Sequence, residues 1–432
     1  MARLLDAPAR RSAAALGTTG KTAPLQVALP TRNSIEPFIQ TGDIKNSNGR
    51  ITAYQQTYSE AGLAQSRLWP AGTMCITIAA NIAETGILVF PACFPDSVVG
   101  FIAKDAKCDV RFVEYTFRHL RQHIQHEASG SVQNNINLET LDRLRFPFPP
   151  LAEQRAIAHI LGALDDKIEL NRRMSETLEA MARSLFKSWF VDFDPVRAKE
   201  EGRDPELPKE VADLFPSRFV ESEIGEIPEG WGVGTLADVI EPLRDNGNPL
   251  DYSDVLFRHF SIPAFDNGQW PALERGEAIK SQKSRVPPGA VLMSKLNPEI
   301  ERVWLVDVQP RDRAVCSTEF LVLRPRSPYG RAYAYCLGRS SALRQQLQGL
   351  VTGTSKSHQR AQVGSILTLA TVMGPKPLIA QFQKAAEPLL ARTLECRRES
   401  HTLAALRDAL LPKLISGELR VRAAKDLQQA AV

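Results

Sequence analysis

Asp192 and Asp194 are two carboxylates separated by one residue, a pattern that could bind a divalent cation or support acid and base chemistry. They alternate with Phe190 and Phe193, where an apolar helical pattern ends. This alternation is more typical of a capped turn in which the aromatic rings pack and the carboxylates face solvent or basic residues. We therefore predict that the pair is neither catalytic nor a metal site.

Three histidines, His119, His123 and His126, lie about one helical turn apart, which is a possible spacing for zinc ligands. No cysteine or glutamate is positioned in the sequence to complete a coordination shell. We predict that the three side chains form a solvated face of a helix over residues 110–126 and that the chain holds no metal.

Motifs for nucleotide hydrolysis and methyl transfer are incomplete in this sequence. Residues 20–22 (GKT) match the end of a phosphate-binding GxxxxGK[ST] loop, but Ala15 occupies the position of its first glycine. Residues 297–300 (NPEI) lack the second proline and the aromatic residue of an amino-methyltransferase loop, and we predict a turn there. The sequence therefore predicts no catalytic residue.

Composition narrows the class of protein. The chain has 53 lysines and arginines against 49 aspartates and glutamates, so its net charge of +4 does not by itself predict nucleic-acid binding. The six cysteines form no CxxC pair and are predicted to be buried small residues in a reducing compartment. No apolar run approaches the length of a membrane span and no secretory signal is recognisable, so we expect no membrane partner and a cytoplasmic location.

A long helix is predicted over residues 151–195. Its apolar residues recur in alternating steps of four and three, which is the spacing of a coiled-coil seam. At 1.5 Å per residue, about forty helical residues of this segment span roughly 60 Å. Polar Asn171 and Ser175 interrupt the seam at its centre. An amphipathic helix lying on one domain is the alternative, but the length and the central position favour a spacer between domains.

A partner helix is predicted over residues 377–415, a leucine-rich stretch that ends at Ser416 and Gly417. The residues predicted to form the seam between the two helices are Ile157, Leu161, Leu164, Ile168, Leu178, Leu185, Leu394, Leu403 and Leu410.

The two helices occupy equivalent places in an internal repeat of roughly 220 residues. NRRMSETLEAMARSLFKSWF aligns with CRRESHTLAALRDALLPKLI, so Asn171 corresponds to Cys396 and Leu185 to Leu410. Upstream, SRLWPAG from Ser66 resembles SRVPPG from Ser284. A repeat this long indicates a duplicated domain. Strand-like segments followed by a helix in each half predict a mixed α/β (α+β) fold.

The segments PPLAEQRAIAHILGALDDKIELNRR, LFKSWFVDFDPV and LRDALLPKLISGEL closely resemble the two conserved regions of the specificity (S) subunits of type I restriction-modification systems. The order of domain, helix, domain, helix agrees with this resemblance over most of the chain. It implies two target-recognition domains separated by two long antiparallel coiled-coil helices. The boundaries that follow are a first target-recognition domain at 1–150, a central conserved helix at 151–195, a linker at 196–230, a second target-recognition domain at 231–376, a C-terminal conserved helix at 377–419 and a tail at 420–432.

The resemblance also implies a function. The chain would be the non-catalytic subunit that recognises a bipartite target on double-stranded DNA, with the helix pair setting the gap between the two half-sites. Its expected partners are two modification (methyltransferase) subunits and restriction (translocase/nuclease) subunits. S-adenosylmethionine, ATP and Mg are expected in those partner subunits, and no cofactor in this chain.

Candidate DNA contacts can then be nominated from loop chemistry. Arg and Lys suit guanine edges, Asn and Gln suit adenine edges, and Lys, Arg, Ser and Thr suit phosphates. In the first domain the candidates are Lys45, Asn46, Asn48, Arg50, Arg67, Lys104, Ser131, Gln133 and Asn134. In the second domain they are Lys280, Lys283, Arg285, Lys295, Thr354, Lys356, His358, Gln359 and Arg360.

One departure from the family pattern concerns the N-terminus. The second domain opens at Trp231 with WGVGTLAD, whereas the equivalent stretch near residues 7–20 carries no such opening, so we predict that the first domain lacks its first strand. Two alternative functions stay open at this point. One is a self-contained DNA methyltransferase or endonuclease, and the other is a coiled-coil scaffold without DNA specificity.

Overall fold

The computed structural model describes residues 2–3, 9–10, 27–28, 36–79, 81–104, 106–129, 136, 141, 145–350 and 359–421. The chain divides into two compact units. Unit 1 comprises Met1–Glu169 and His401–Val432, and unit 2 comprises Leu170–Ser400.

Unit 1 combines short strands with helices. In chain order its described elements are β1 (Ala2–Arg3), β2 (Ala9–Arg10), β3 (Val27–Ala28), β4 (Glu36–Phe38), α1 (Thr41–Lys45), β5 (Gly49–Ile51), β6 (Gln56–Tyr58), α2 (Glu60–Ala64), β7 (Met74–Thr77), β8 (Thr85–Leu88), β9 (Val98–Phe101), α3 (Val110–Ser129) and β10 (Arg145–Phe146). The long helix α4 (Leu151–Phe190) follows, and its residues up to 169 belong to unit 1.

Unit 2 contains the remainder of α4 and a longer series of strands. Its further elements are α5 (Asp194–Glu200), α6 (Lys209–Ala212), β11 (Phe219–Ser222), β12 (Gly225–Pro228), β13 (Gly232–Thr235), α7 (Leu236–Val239), β14 (Ile240–Leu243), β15 (Asn246–Gly247), β16 (Leu256–Phe260), α8 (Ile262–Asp266), β17 (Ala272–Arg275), β18 (Lys283–Arg285), β19 (Val291–Ser294), β20 (Val303–Leu305), β21 (Ala314–Cys316), β22 (Phe320–Pro325), α9 (Arg331–Gly338), α10 (Ser341–Gly349), α11 (Val363–Leu367) and β23 (Ala370–Met373). A second long helix, α12 (Lys376–Ser416), contributes its residues up to 400 to unit 2 and its last residues to unit 1.

The main sheet of unit 1 has the strand order β2-β9-β7-β8-β5 among the described residues, with β5 parallel to β8 and the other neighbours antiparallel. Side chains alternate across a strand. Met74 and Ile76 of β7 therefore face one buried cluster, while Cys75 faces another that also contains Trp69. Both faces of this sheet are buried, which explains why β7 is apolar at successive positions.

Helix α3 of unit 1 is buried on two sides. Val113 and Phe117 pack with β7 and β9, whereas Phe112 and Tyr115 pack with the long helices. The helix therefore connects the sheet of unit 1 to its helical layer.

Unit 2 has two main sheets among its described residues. Their strand orders are β14-β22-β19-β20 and β15-β18-β21-β16-β17. Val291 and Met293 of β19 face a cluster rich in aromatic rings, and Leu292 faces a second cluster around Trp304. In the first cluster the ring centroids of Phe186 on α4 and Phe382 on α12 are 5.6 Å apart.

The two long helices run antiparallel within each unit. In unit 1, Ile157 and Leu161 pack with Leu411, Leu414 and Ile415. In unit 2 the later residues of α4 pack with the earlier residues of α12, as the contact of Phe186 with Phe382 shows. Of the residues predicted to form the seam, Ile157, Leu161 and Leu394 are buried, and the rest, namely Leu164, Ile168, Leu178, Leu185, Leu403 and Leu410, are half-buried.

The polar residues at the centre of α4 do more than interrupt the apolar pattern. Asn171 is fully buried, and its Nδ2 donates to Oε2 of Glu399 at 2.9 Å. The hydroxyl of Ser175 lies 3.5 Å from the carbonyl oxygen of Thr393. Both contacts join α4 to α12 in unit 2, so these residues bind the partner helix rather than facing solvent.

The structure corrects one predicted helix. The sequence pattern predicts a single helix over residues 329–348, but α9 ends at Gly338 and α10 begins at Ser341. Ser340 accounts for the break, because its hydroxyl accepts a hydrogen bond from the backbone N–H of Leu343 at 3.2 Å and so caps α10.

The prediction that the first domain lacks its first strand is wrong. Strand β1 pairs antiparallel with β10, just as β13 pairs antiparallel with β23 in unit 2. A two-residue strand has no periodicity in sequence, so pattern analysis missed it. The stretch 196–230, predicted as a linker, contains α5, α6 and the hairpin of β11 and β12, and it buries Val196, Phe215 and Ile227.

Candidate nucleic-acid interface

Unit 2 contains an open cleft of about 920 Å³. It lies where edge strands β14 and β15 of the two main sheets meet the ends of β18, β21 and β22. Its polar lining consists of Arg244, Asp245, Asn248, Tyr252, Arg285, Asp312, Arg313 and Arg324. We call this site the arginine cleft.

Strand ends position the four arginines of the arginine cleft. Arg244 directly follows β14, Arg285 ends β18, Arg313 directly precedes β21 and Arg324 lies near the end of β22. All four side chains are exposed. Because the strands belong to two different sheets, guanidinium groups separated by up to 80 residues in sequence converge on one surface.

The carboxylates of the arginine cleft neutralise little of the positive charge of its four arginines. Asp312 is engaged by Arg258, whose Nη1 donates to Oδ2 at 2.7 Å, and by the backbone N–H of Gln309 at 2.9 Å. Burial alone would raise the pKa of Asp312, but these hydrogen bonds and the nearby arginines outweigh it and lower that pKa. Asp245 lies 3.7 Å from Arg285, and both side chains are largely exposed, so this pair is weak.

Arg313 has a defined aromatic neighbour in the arginine cleft. Its guanidinium carbon lies 5.4 Å from the ring centroid of Tyr252. Such cation–π stacking holds a planar guanidinium in a limited set of orientations. The cleft therefore offers at least one arginine with a restrained direction.

Two candidates predicted from separate loops lie together in unit 2. The backbone N–H of Ala361 donates to the carbonyl oxygen of Lys295, and the N–H of Asn297 donates to that of Gln359. Arg360, which is exposed, pairs with Glu319 at 2.6 Å. The structure thus joins Lys295 to Gln359 and Arg360 in one polar patch.

The predicted basic run of unit 2 does not form one surface. Lys280 and Arg285 are exposed, but Lys283 is only 8% exposed. The ammonium of Lys283 hydrogen-bonds to Ser281, and burial lowers the pKa of this lysine. Lys283 is therefore poorly placed to bind a phosphate.

The end of α1 and the loop after it present Lys45, Asn46 and Asn48 of unit 1 to solvent. Arg118 fixes its shape, since Nη2 donates to the carbonyl oxygen of Asn48 at 3.1 Å. Gly49, with φ of 89°, is required at this approach because a Cβ there would lie 2.1 Å from Arg118 Nη2.

The remaining candidates of unit 1 have more varied surroundings. Arg50 is half-buried and pairs with Asp166 of α4. The guanidinium carbon of Arg67 lies 4.2 Å from the ring centroid of Trp69. Lys104 is exposed. Ser131, Gln133, Asn134, Thr354, Lys356 and His358 lie outside the described residues.

Sequence reasoning missed Arg244, Arg313 and Arg324. The available signal was weak: each lies beside a strand, and Arg313 belongs to the run RDR at 311–313. Only the sheet topology reveals that they share the arginine cleft with Arg285.

The residues whose spacing resembles metal ligands have other surroundings. Phe190 and Phe193 are buried while Asp192 pairs with Lys187, as the capped-turn interpretation predicts. His119, His123 and His126 are exposed on α3. Across the part of the chain that the structure describes, no group of three His, Cys, Asp or Glu side chains is placed to hold a metal ion. All six cysteines are buried and unbridged, as predicted.

Residues 297–300, which partly resemble a methyltransferase loop, form a turn in which the N–H of Ile300 donates to the carbonyl oxygen of Asn297. Within the described ranges, no helix has both the length and the apolar character needed to cross a bilayer.

Two folded units that share a pair of long helices and carry exposed arginines and amides are compatible with a nucleic-acid recognition protein. Comparison with known proteins agrees. Residues 18–180 match the family model described as the type I restriction modification DNA specificity domain.

Relatives extend the match over nearly the whole chain. The specificity subunit of the type I restriction enzyme MjaIX from Methanocaldococcus jannaschii is 25% identical over 89% of this chain and 87% of its own length. The HindI specificity subunit from Haemophilus influenzae is 25% identical over 68% of this chain and 73% of its own. The resemblance to type I specificity subunits is therefore confirmed.

A solved structure supports the fold independently. The crystal structure of the type I restriction-modification S subunit from M. genitalium covers 90% of each chain with a TM-score of 0.53 at 13% sequence identity. At this identity the likeness concerns the fold alone.

Proposed function

We infer that this protein is the DNA specificity subunit of a type I restriction-modification complex and recognises a bipartite target on double-stranded DNA. The observation that carries this inference is the duplication: each unit has its own sheet and core, and the two share α4 and α12. Relatives named as type I specificity subunits match across both units.

In this proposal each unit recognises one half-site. Unit 1 offers the loop of Lys45, Asn46 and Asn48, and unit 2 offers the arginine cleft and the patch around Lys295 and Arg360. Their guanidinium, ammonium and amide groups suit phosphates and base edges. The role of the helix pair in setting the gap between half-sites stays a prediction.

Catalysis belongs to partner subunits in this proposal. Two modification subunits would bind S-adenosylmethionine and methylate adenine, and restriction subunits would use ATP and Mg to translocate and cleave. Target adenines would be extruded from the duplex into the modification subunit. We propose that the complex acts in the cytoplasm and that this chain binds no cofactor of its own.

Selection from a pool of random duplexes tests the proposal. The chain is purified with its modification subunits, and bound duplexes are recovered and sequenced. Enrichment of two short fixed elements at constant separation supports a specificity subunit. Enrichment of no sequence supports a scaffold, and adenine methylation by the chain alone with S-adenosylmethionine supports a self-contained enzyme.

A further inference from the structure

The arginine cleft carries an excess of positive charge that the fold of unit 2 leaves unneutralised. Among the described residues, the Arg244 side chain has neither a hydrogen bond nor an ion pair, and the nearest carboxylate oxygen of Glu241 is 3.8 Å from Nε of Arg324. Asp312 is already bound by Arg258. A concave surface of this kind attracts an anionic partner.

The lining of the arginine cleft contains apolar, amide and aromatic groups in addition to the charged side chains. Phe257 and Val286 are buried along it, while Asn248 and the exposed Tyr252 add an amide and an aromatic face. A ligand with both phosphate groups and flat polar edges fits this mixture better than a simple inorganic anion. Duplex DNA presents phosphates and base edges side by side.

The four arginines differ in how firmly they are held. Arg313 is stacked on Tyr252. Arg324 makes only a long, solvent-exposed ion pair with Glu241 at 3.8 Å, and the Arg244 side chain has no partner among the described residues. A restrained planar guanidinium suits a bidentate contact to O6 and N7 of guanine. Unrestrained arginines suit phosphates, where direction matters less.

We propose that the arginine cleft binds the half-site recognised by unit 2, with Arg313 contacting a guanine and Arg244 and Arg324 contacting phosphates. This assignment rests on the proposed function, and it names the residues and the base for one half of the target. It predicts at least one G·C pair in that half-site.

Substitutions within the assembled complex test the assignment. Duplexes carrying the wild-type target, and duplexes with each base pair changed in turn, are titrated at several salt concentrations. Arg313→Ala is expected to reduce discrimination at one G·C pair of one half-site by about 10-fold or more, and to leave the other half-site unchanged. Arg313→Lys keeps the charge but loses the planar fork stacked on Tyr252, so it should lose part of that discrimination and less than Arg313→Ala does.

Loss of a phosphate contact should change the overall affinity and its salt dependence and should leave base discrimination unchanged. Arg244→Ala and Arg324→Ala should weaken binding to all duplexes alike and reduce the slope of log affinity against log salt by about one each. Arg275→Ala is the matched control, because Arg275 is exposed on β17 outside the cleft, and it should change neither quantity. Thermal unfolding of each variant verifies that it folds.

These measurements distinguish failure of the residue assignment in the arginine cleft from failure of the proposed function. If Arg313→Ala and Arg313→Lys both keep the wild-type preference at every position, the cleft does not recognise bases and the assignment fails. The proposed function still stands in that case if the wild-type complex selects a bipartite target. If Arg244→Ala and Arg324→Ala leave the salt slope unchanged, the phosphate contacts are refuted. A wild-type complex that selects no sequence overturns the proposed function itself.

Discussion

Glu179 on α4 and Arg397 on α12 form an ion pair in which Oε2 lies 2.9 Å from Nη2. Arg339, which directly follows α9, contacts the same carboxylate. The side chains of Glu179 and Arg397 are only 12% and 19% exposed, so water screens the pair weakly. One carboxylate therefore links both long helices to the globular part of unit 2.

Glu179→Ala should destabilise unit 2 strongly. It leaves Arg397 desolvated and without its carboxylate, and removing one partner of a largely buried pair costs about 3–5 kcal/mol. Urea unfolding followed by circular dichroism measures the loss. Met181→Ala, at a side chain 52% exposed on the same helix, is the control and should change the free energy of unfolding by less than about 0.5 kcal/mol. Equal losses in the two variants would contradict the role given to Glu179.

A comparable junction exists in unit 1 around Asp165 of α4. Its carboxylate accepts from the Tyr115 hydroxyl at 2.6 Å and from Nη1 of Arg407 on α12 at 2.7 Å, with Arg118 at 3.4 Å. Asp165→Ala should therefore cost more stability than Arg407→Ala. A double-mutant cycle should give a coupling of about 1–3 kcal/mol between the two residues. A coupling near zero would show that the pair contributes nothing to joining the helices.

Two neighbouring basic residues of β18 should behave differently towards DNA. Arg285→Ala should reduce the slope of log affinity against log salt by about one, because Arg285 is exposed in the arginine cleft. Lys283→Met should leave that slope unchanged, because its ammonium is buried against Ser281. Titrations of the assembled complex between low and high salt measure both slopes. A loss of slope in Lys283→Met would mean that the side chain becomes exposed on binding.

Lys283 should also make the free energy of unfolding of unit 2 depend on pH in the alkaline range. Burial lowers the pKa of Lys283 in the folded state below its ordinary value of 10.5, so the folded state binds fewer protons than the unfolded state over that interval. Its contribution to stability is then fully present above pH 10.5 and is lost as the pH falls through the lower folded-state pKa. Wild type should gain stability relative to Lys283→Met as the pH rises from neutral towards 10.5. Urea unfolding at several pH values measures the difference. The expectation is contradicted if the free energies of unfolding of wild type and Lys283→Met change equally with pH.

Helices α4 and α12 could be predicted from sequence because their apolar spacing persists over many turns. Pattern alone could not show that Asn171 is buried against Glu399, since a polar residue in a seam is equally compatible with solvent. The break at Ser340 depends on a capping hydrogen bond that competes with a continuous apolar pattern.

The arginine cleft was beyond sequence reasoning for a different reason. Arg244 and Arg313 are brought together by strands of two separate sheets, and no local pattern encodes that pairing. The basic run at 280–285 predicts Arg285 and Lys283 alike. Only the burial of Lys283 in the folded chain distinguishes the two.

The most direct test of the central claim is to map methylated adenines across the genome of cells that carry this chain with its modification subunits. A specificity subunit with two recognition units predicts a bipartite motif, two short elements separated by a gap of fixed length, with a methylated adenine in each element. Cells without the chain should lack that methylation. A contiguous motif, or methylation that does not depend on the chain, would contradict the account.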